Sequence, residues 1–184
     1  MAERAWLVTL RRDIEAHVSP DGLTSRKRLL TALSKVWLKP QVRATLHHRL
    51  AHALHQRGHR LAALLVARHS LRTTGAEIHP AAVAGPGFCL VHSTGVVIGA
   101  GVRIGADARL HHGVTLGVPG GVRDTFTDPV LGERVMIGAY AVVLGALTVG
   151  DDAKIGANAV VRDDVPAGAT AVGVPARVIR TASS

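Results

Sequence analysis

Histidine is the side chain that gains and loses a proton near neutral pH, and this chain of 184 residues carries 11 of them. His48, His52, His55 and His59 follow one another at steps of four, three and four, along one side of a helical stretch. A metal centre needs ligands that converge, and one helical stripe offers at most two neighbours. These four therefore read as solvent-facing or capped histidines, and no metal is expected. His92 lies in Val91-His92-Ser93-Thr94-Gly95, and His111 and His112 form a pair in Arg109-Leu110-His111-His112-Gly113. The single cysteine, Cys89, allows no intrachain disulfide, and Cys/His zinc spacings are absent.

Two unlike segments carry these residues. The length fits one domain, or a main domain with a small appendage. Apolar residues make up 47% of the chain and aromatic ones 3%, so the core is built from Ala, Val, Leu and Ile. Residues 1–76 hold 14 Lys/Arg against 4 Asp/Glu, whereas residues 77–184 hold 8 against 9. All the excess positive charge is thus in the first segment. Stacking platforms for nucleic acid are missing, so a solvated basic helical face, or one meeting an acidic partner, is expected instead. Ala2 to Val18 has helical spacing before Ser19-Pro20-Asp21-Gly22, and a second helix starts after Thr24 or Ser25 and stops before Pro40. From Gln41 a further helix places Leu46, Leu50, Ala53 and Leu54 on one face, and Gly58 separates it from another with Leu61, Leu64 and Leu65. The apolar run Ala5 to Leu10 is too short for a signal peptide or membrane span, so a cytoplasmic protein is expected.

After residue 77 the period changes to six. Aliphatic residues recur at Ile98, Ile104, Leu110 and Leu116, then at Leu131, Ile137, Val143, Val149, Ile155 and Val161. Glycine usually follows, and a second small or apolar residue stands four positions on, as at Val102, Ala108, Val135 and Ala141. Six fits neither a 3.6-residue helix nor simple alternation; it fits a stacked β-solenoid of triangular coils, with aliphatic side chains inside and glycine at corners of unusual backbone angle. Two phase breaks interrupt it. Eight residues separate Leu90 from Ile98, bulging Val91 to Gly95 outward, and fifteen separate Leu116 from Leu131, extruding a loop around Val118 to Pro129. Insertions into a solenoid leave its core undisturbed and often carry the binding face.

The run EIHPAAVAGPGFCLVHSTGVVIGAGVRIGADARLHHGVTLG, with VMIGAYAVVLGALTVGDDAKIGANAVVRDDVP and the closing AVGVPARVI, resembles the serine acetyltransferases of the hexapeptide-repeat acyltransferase family. The resemblance is close from Gly75 to Ile179, and LHHRLAHALHQRGHRLAALLVARHSLRTTG is similar to the last helices of that family's amino-terminal domain, here much shortened. It implies an α+β chain: a short N-terminal all-α segment (basic domain 1–76), then a left-handed parallel β-helix of hexapeptide repeats (77–180, with the loop 118–129), and a tail, 181–184. It also implies a homotrimer or dimer of trimers with acetyl-CoA bound between neighbouring prisms. By the resemblance His92 is the general base and Glu77, of Glu77-Ile78-His79-Pro80, the carboxylate that orients it. Such a pair suits transfer to a hydroxyl, a poor nucleophile until a base takes its proton. The same resemblance makes His112 a pocket-lining residue and gives Gly117, Ala139 and Ala157 backbone contacts to the cofactor, with Lys154 and Arg177 as phosphate partners.

The chain departs from that family where the acceptor binds. The family's Asp before the catalytic His is Val91 here, and its Asp-Arg-His-Pro loop aligns with Phe126-Thr127-Asp128-Pro129. A zwitterion site thereby loses an anion and a cation. The leading expectation is therefore an acyl-CoA-dependent O-acyltransferase whose acceptor, lined by Val91, His112, Thr127 and Asp128, is not free serine. A small or carrier-tethered hydroxyl compound fits, with an acidic carrier protein meeting the basic helices. The alternatives are a genuine serine O-acetyltransferase and a catalytically idle solenoid that binds acyl groups. The end Thr181-Ala182-Ser183-Ser184 lacks the family's terminal Ile, which speaks against a cysteine synthase complex.

Overall fold

The structure, a computed structural model, describes residues 2–17, 38–118 and 128–180. Among the described residues three helices come first: α1 (Ala2–Ala16), α2 (Pro40–Gln56) and α3 (Arg60–Thr74). Lys39 is held extended by the proline after it, and Pro40 opens α2 at a position whose missing N–H costs nothing. Gly75 ends α3 in the left-handed region at φ +72°, its N–H donating to the Leu71 carbonyl at 3.0 Å. The helix expected between Thr24 and Pro40 falls almost wholly outside the described residues.

Short strands then wind into a three-sided prism. Its first coil is β1 (Glu77–Ile78), β2 (Val83–Ala84) and β3 (Cys89–Leu90); its second, β4 (Val97–Ile98), β5 (Arg103–Ile104) and β6 (Arg109–Leu110). The third coil holds β7 (Thr115–Gly117), β8 (Val130–Leu131) and β9 (Met136–Ile137); the fourth, β10 (Val142–Leu144), β11 (Thr148–Val149) and β12 (Lys154–Ile155). The fifth has β13 (Val160–Val161) and β14 (Thr170–Val172), and β15 (Arg177–Arg180) folds back antiparallel on β14. Every third strand pairs in parallel, so β1, β4, β7, β10 and β13 form the first sheet, β2, β5, β8 and β11 the second, and β3, β6, β9, β12 and β14 the third. In-register stacking puts Ile78, Ile98, Leu116, Val143 and Val161 directly above one another, all buried. The six-residue period is thus the core of the prism. Leu90 and Ile98 remain inside despite the bulge between them, as do Leu116 and Leu131 on either side of the extruded loop.

The repeated glycines have a different cause from the one the sequence suggests. Gly105, Gly138 and Gly150 do not adopt a positive φ; a Cβ on them would come within 2.4–2.6 Å of backbone in the next coil. The left-handed residue stands two places later, at Asp107, Arg134, Tyr140, Asp152 and Asn158, with φ of 55–59°. Close approach of stacked coils, rather than turn geometry, selects glycine at these corners.

The helices also differ from the expected apolar faces. Leu50, Leu61, Leu64 and Leu65 are exposed, whereas Thr45, His48 and Arg49 are buried against the prism. A polar latch accounts for this. Arg49 donates from Nε and Nη2 to the Asp13 carboxylate at 2.7 and 3.0 Å, and from Nη1 and Nη2 to the carbonyls of Ala84 and Gly85. Asp13 accepts the N–H groups of Gly87 and Phe88 at 2.9 and 3.0 Å. α1, α2 and the first coil are therefore joined through one buried pair. His48, expected at the surface, packs edge-on to Phe88 with 6.5 Å between ring centroids, and burial, helped by Arg49 and His52, pushes its pKa down to about 3.

Candidate active site

The corner between the third and first sheets is pinned where the sequence bulges. Ser93 is buried and its hydroxyl donates to the Thr74 carbonyl at 2.6 Å, at the very end of α3. Gly95 donates to the Gly75 carbonyl and Gly113 to the Thr94 carbonyl, each at 2.9 Å. Val91 is half-buried and tied by its N–H to Leu110. His92, between these anchors, projects to the exterior. The helical segment thus fixes the insertion that carries the exposed imidazole.

His92 meets His112 of the next coil edge-on, with ring centroids 5.8 Å apart and planes at 68°. His112 meets Tyr140 of the coil after that, at 5.0 Å and 88°. Its buried Nδ1 has no hydrogen-bond partner. Backbone bonds continue along this edge, from Tyr140 N–H to the His112 carbonyl and from Asn158 N–H to the Ala139 carbonyl, both 2.9 Å. Ala139 and Ala157 therefore occupy the same edge as His92, one and two coils beyond His112. His111, beside them, has its pKa lowered by burial first and then by His112, His92 and Arg109.

A second group lines a hollow of about 830 Å³ over the first sheet, between α3 and the root of the extruded loop. It includes Glu77, Gly117 and Asp128, with Arg68 and His79. A Cβ on Gly117 would meet nothing within 4 Å, so bare backbone faces open space there. Asp128 accepts the Gly101 N–H at 3.1 Å. Thr127 lies outside the described residues, as does the tail 181–184. Within one chain no hydrogen bond or ion pair joins Glu77 to His92: the carboxylate is exposed in the hollow and the imidazole stands at the edge.

Lys154 is exposed on the third sheet and makes no salt bridge among the described residues, whereas Arg177 donates to the Ala176 carbonyl at 2.9 Å and lies 4.0 Å from Asp163. Gly117 presents open backbone, Ala139 and Ala157 are small corner residues, and, after the Arg134 hydrogen bond, the charge of the exposed Lys154 cation helps to lower the Asp152 pKa. Among the described residues no three His, Cys, Asp or Glu side chains are grouped to hold a metal ion, and no helix is long and apolar enough to cross a membrane. Sequence reasoning missed Tyr140, Arg68 and any role for His79, whose Nδ1 accepts the Ala81 N–H at 3.0 Å and whose ring lies edge-on to His55. Tyr140 had one signal, being the only tyrosine in a chain poor in aromatics.

Stacked hexapeptide coils bearing an exposed histidine on an insertion define a hexapeptide-repeat transferase. Family models agree: residues 128–163 match the bacterial transferase hexapeptide (six repeats), and residues 95–118 the hexapeptide repeat of succinyl-transferase. The serine acetyltransferase of Mycobacterium tuberculosis is 46% identical over 173 residues, 94% of this chain and 73% of the relative. That of Helicobacter pylori strain 26695 is 50% identical over 142 residues, 77% and 82% of the two chains. Among solved structures, the serine acetyltransferase of Brucella abortus in complex with coenzyme A superposes with a TM-score of 0.86 at 35% identity, covering 99% of this chain and 70% of the other. That of Neisseria gonorrhoeae in complex with serine gives 0.84 at 32%, covering 97% and 71%. The chain belongs to the serine acetyltransferase family, and the family's chemistry is O-acetyl transfer.

Proposed function

We propose that the protein transfers an acetyl group from acetyl-CoA to the hydroxyl of free serine, with His92 as general base. The carrying observation is the exposed His92 imidazole, set on a pinned insertion against His112, in a member of this family. His92 takes the hydroxyl proton as the new C–O bond forms at the thioester carbonyl; the C–S bond breaks, and the imidazolium returns the proton to the departing thiolate. Glu77 orients the ring. Both side chains are exposed and able to reorient, and catalytic hydrogen bonds commonly tighten only around bound substrate.

The expectation of an acceptor other than serine gives way here. Relatives 46–50% identical across most of the chain are serine acetyltransferases, and a family structure holds serine. The hollow also carries both signs of charge, Arg68 on α3 with Glu77 and Asp128 on the prism, which suits a zwitterion. Acetyl-CoA binds between neighbouring prisms, with Gly117, Ala139 and Ala157 giving backbone contacts and Lys154 and Arg177 facing its phosphates. The working unit is a homotrimer or dimer of trimers. Exposed Val97, Val130 and Met136 on the outer faces of the prism support burial between chains.

The test is free CoA released from acetyl-CoA in the presence of serine. The wild-type chain forms O-acetylserine. His92→Ala lowers kcat by about 10²–10⁴-fold and Glu77→Gln by a smaller factor. Serine-independent turnover, or a His92→Ala chain as fast as wild type, would overturn the reading.

A further inference from the structure

Tyr140 occupies a backbone conformation that a bulky side chain seldom takes. Its φ is +58°, on a corner where Asn158, one coil further on, adopts the same angle. Tyrosine adopts this region only at a cost, but the same angle recurs at Asp107, Arg134 and Asp152, so the packing around the ring is what distinguishes this corner. The surroundings are shaped to receive that ring. Gly113, itself at φ +69°, lies against it so closely that a Cβ would come within 2.3 Å of Tyr140 Cδ1. The residue is 59% exposed, so core burial does not explain it, and its ring stands edge-on to the His112 imidazole with 5.0 Å between centroids. His112 in turn stands edge-on to His92, with 5.8 Å between centroids. Three rings on three successive coils thus form one column along the prism edge, ending at the base.

We propose that Tyr140 is a positioning residue: it holds His112 edge-on, and His112 holds the His92 ring in the orientation that accepts the hydroxyl proton. The inference rests on the reading of His92 as general base. Its energetic basis is the aromatic edge contact, which constrains ring orientation without needing the phenolic hydroxyl. A base displaced by an ångström loses much of its advantage even though its chemistry is intact.

Three variants test this in the full-length protein with acetyl-CoA and serine. Tyr140→Asn keeps the left-handed corner, and its thermal midpoint is expected at or above that of wild type. Its kcat falls roughly ten- to a hundredfold, with KM for acetyl-CoA altered less than about twofold. Tyr140→Phe restores the ring and recovers most of the rate. In a His92→Ala background, Tyr140→Asn lowers the residual rate no further. A Tyr140→Asn chain with wild-type kcat would overturn the inference, as would Tyr140→Phe losing as much as Tyr140→Asn, or an equal loss in the His92→Ala background. These outcomes differ from failure of the underlying reading, which is marked by undiminished turnover in His92→Ala alone.

Discussion

His48 shows how a single residue's setting decides its behaviour. Its ring is buried against Phe88, beside Arg49, and its Nδ1 has no partner, so the proton it would bind near pH 6.5 in the unfolded chain is refused in the folded one until about pH 3. Acid therefore favours the unfolded chain: this contribution to stability is complete above about 6.5 and is lost as pH falls towards 3. Urea midpoints should drop between pH 7 and pH 4.5, and His48→Leu should drop by less. An equal drop in the variant would assign the acid sensitivity elsewhere. Part of the slope will persist, because burial also lowers the pKa values of His17, His47 and His111. Residue spacing alone placed His48 with His52, His55 and His59 on a solvated stripe; only the packed prism distinguishes it from them.

Between elements, the interaction that sets the arrangement is the Asp13–Arg49 pair. Their side chains are 1% and 8% exposed, and together they satisfy two backbone N–H groups and two carbonyls of the first coil. Removing one partner leaves a buried charge and unpaired N–H groups, a loss of about 3–5 kcal/mol. Asp13→Ala is expected to show this in urea unfolding and to expose α1 to protease before the prism is cut. If stability fell by less than about 1 kcal/mol, the latch would be dispensable. The consequence reaches the site, because α3, packed against α2, ends at Thr74 and Gly75, whose carbonyls hold Ser93 and Gly95 just after His92. None of this was legible in the helical pattern, since a pairing of positions 13, 49, 84 and 87 has no local signature.

For the whole molecule, the proposed trimer predicts a solution mass of three or six chains, measured by light scattering, and loss of turnover on dilution below the assembly constant. A fully active monomer would contradict it. The stacked prism itself was readable residue by residue: a six-residue period leaves only one way to bury Ile98, Leu116, Val143 and Val161, and a change of spacing marks where chain must leave the core. Composition and motif also brought His92 and Glu77 forward as chemistry. What the tertiary structure alone decided is which groups become neighbours. Coil stacking joins residues about twenty or more apart in sequence, placing His92, His112 and Tyr140 in one column, while Glu77 lines the hollow over the adjoining first sheet. Local pattern fixes which side of a strand a residue occupies; lateral contact depends on how many residues each coil contains, and the insertions at Val91–Gly95 and before Asp128 change that number.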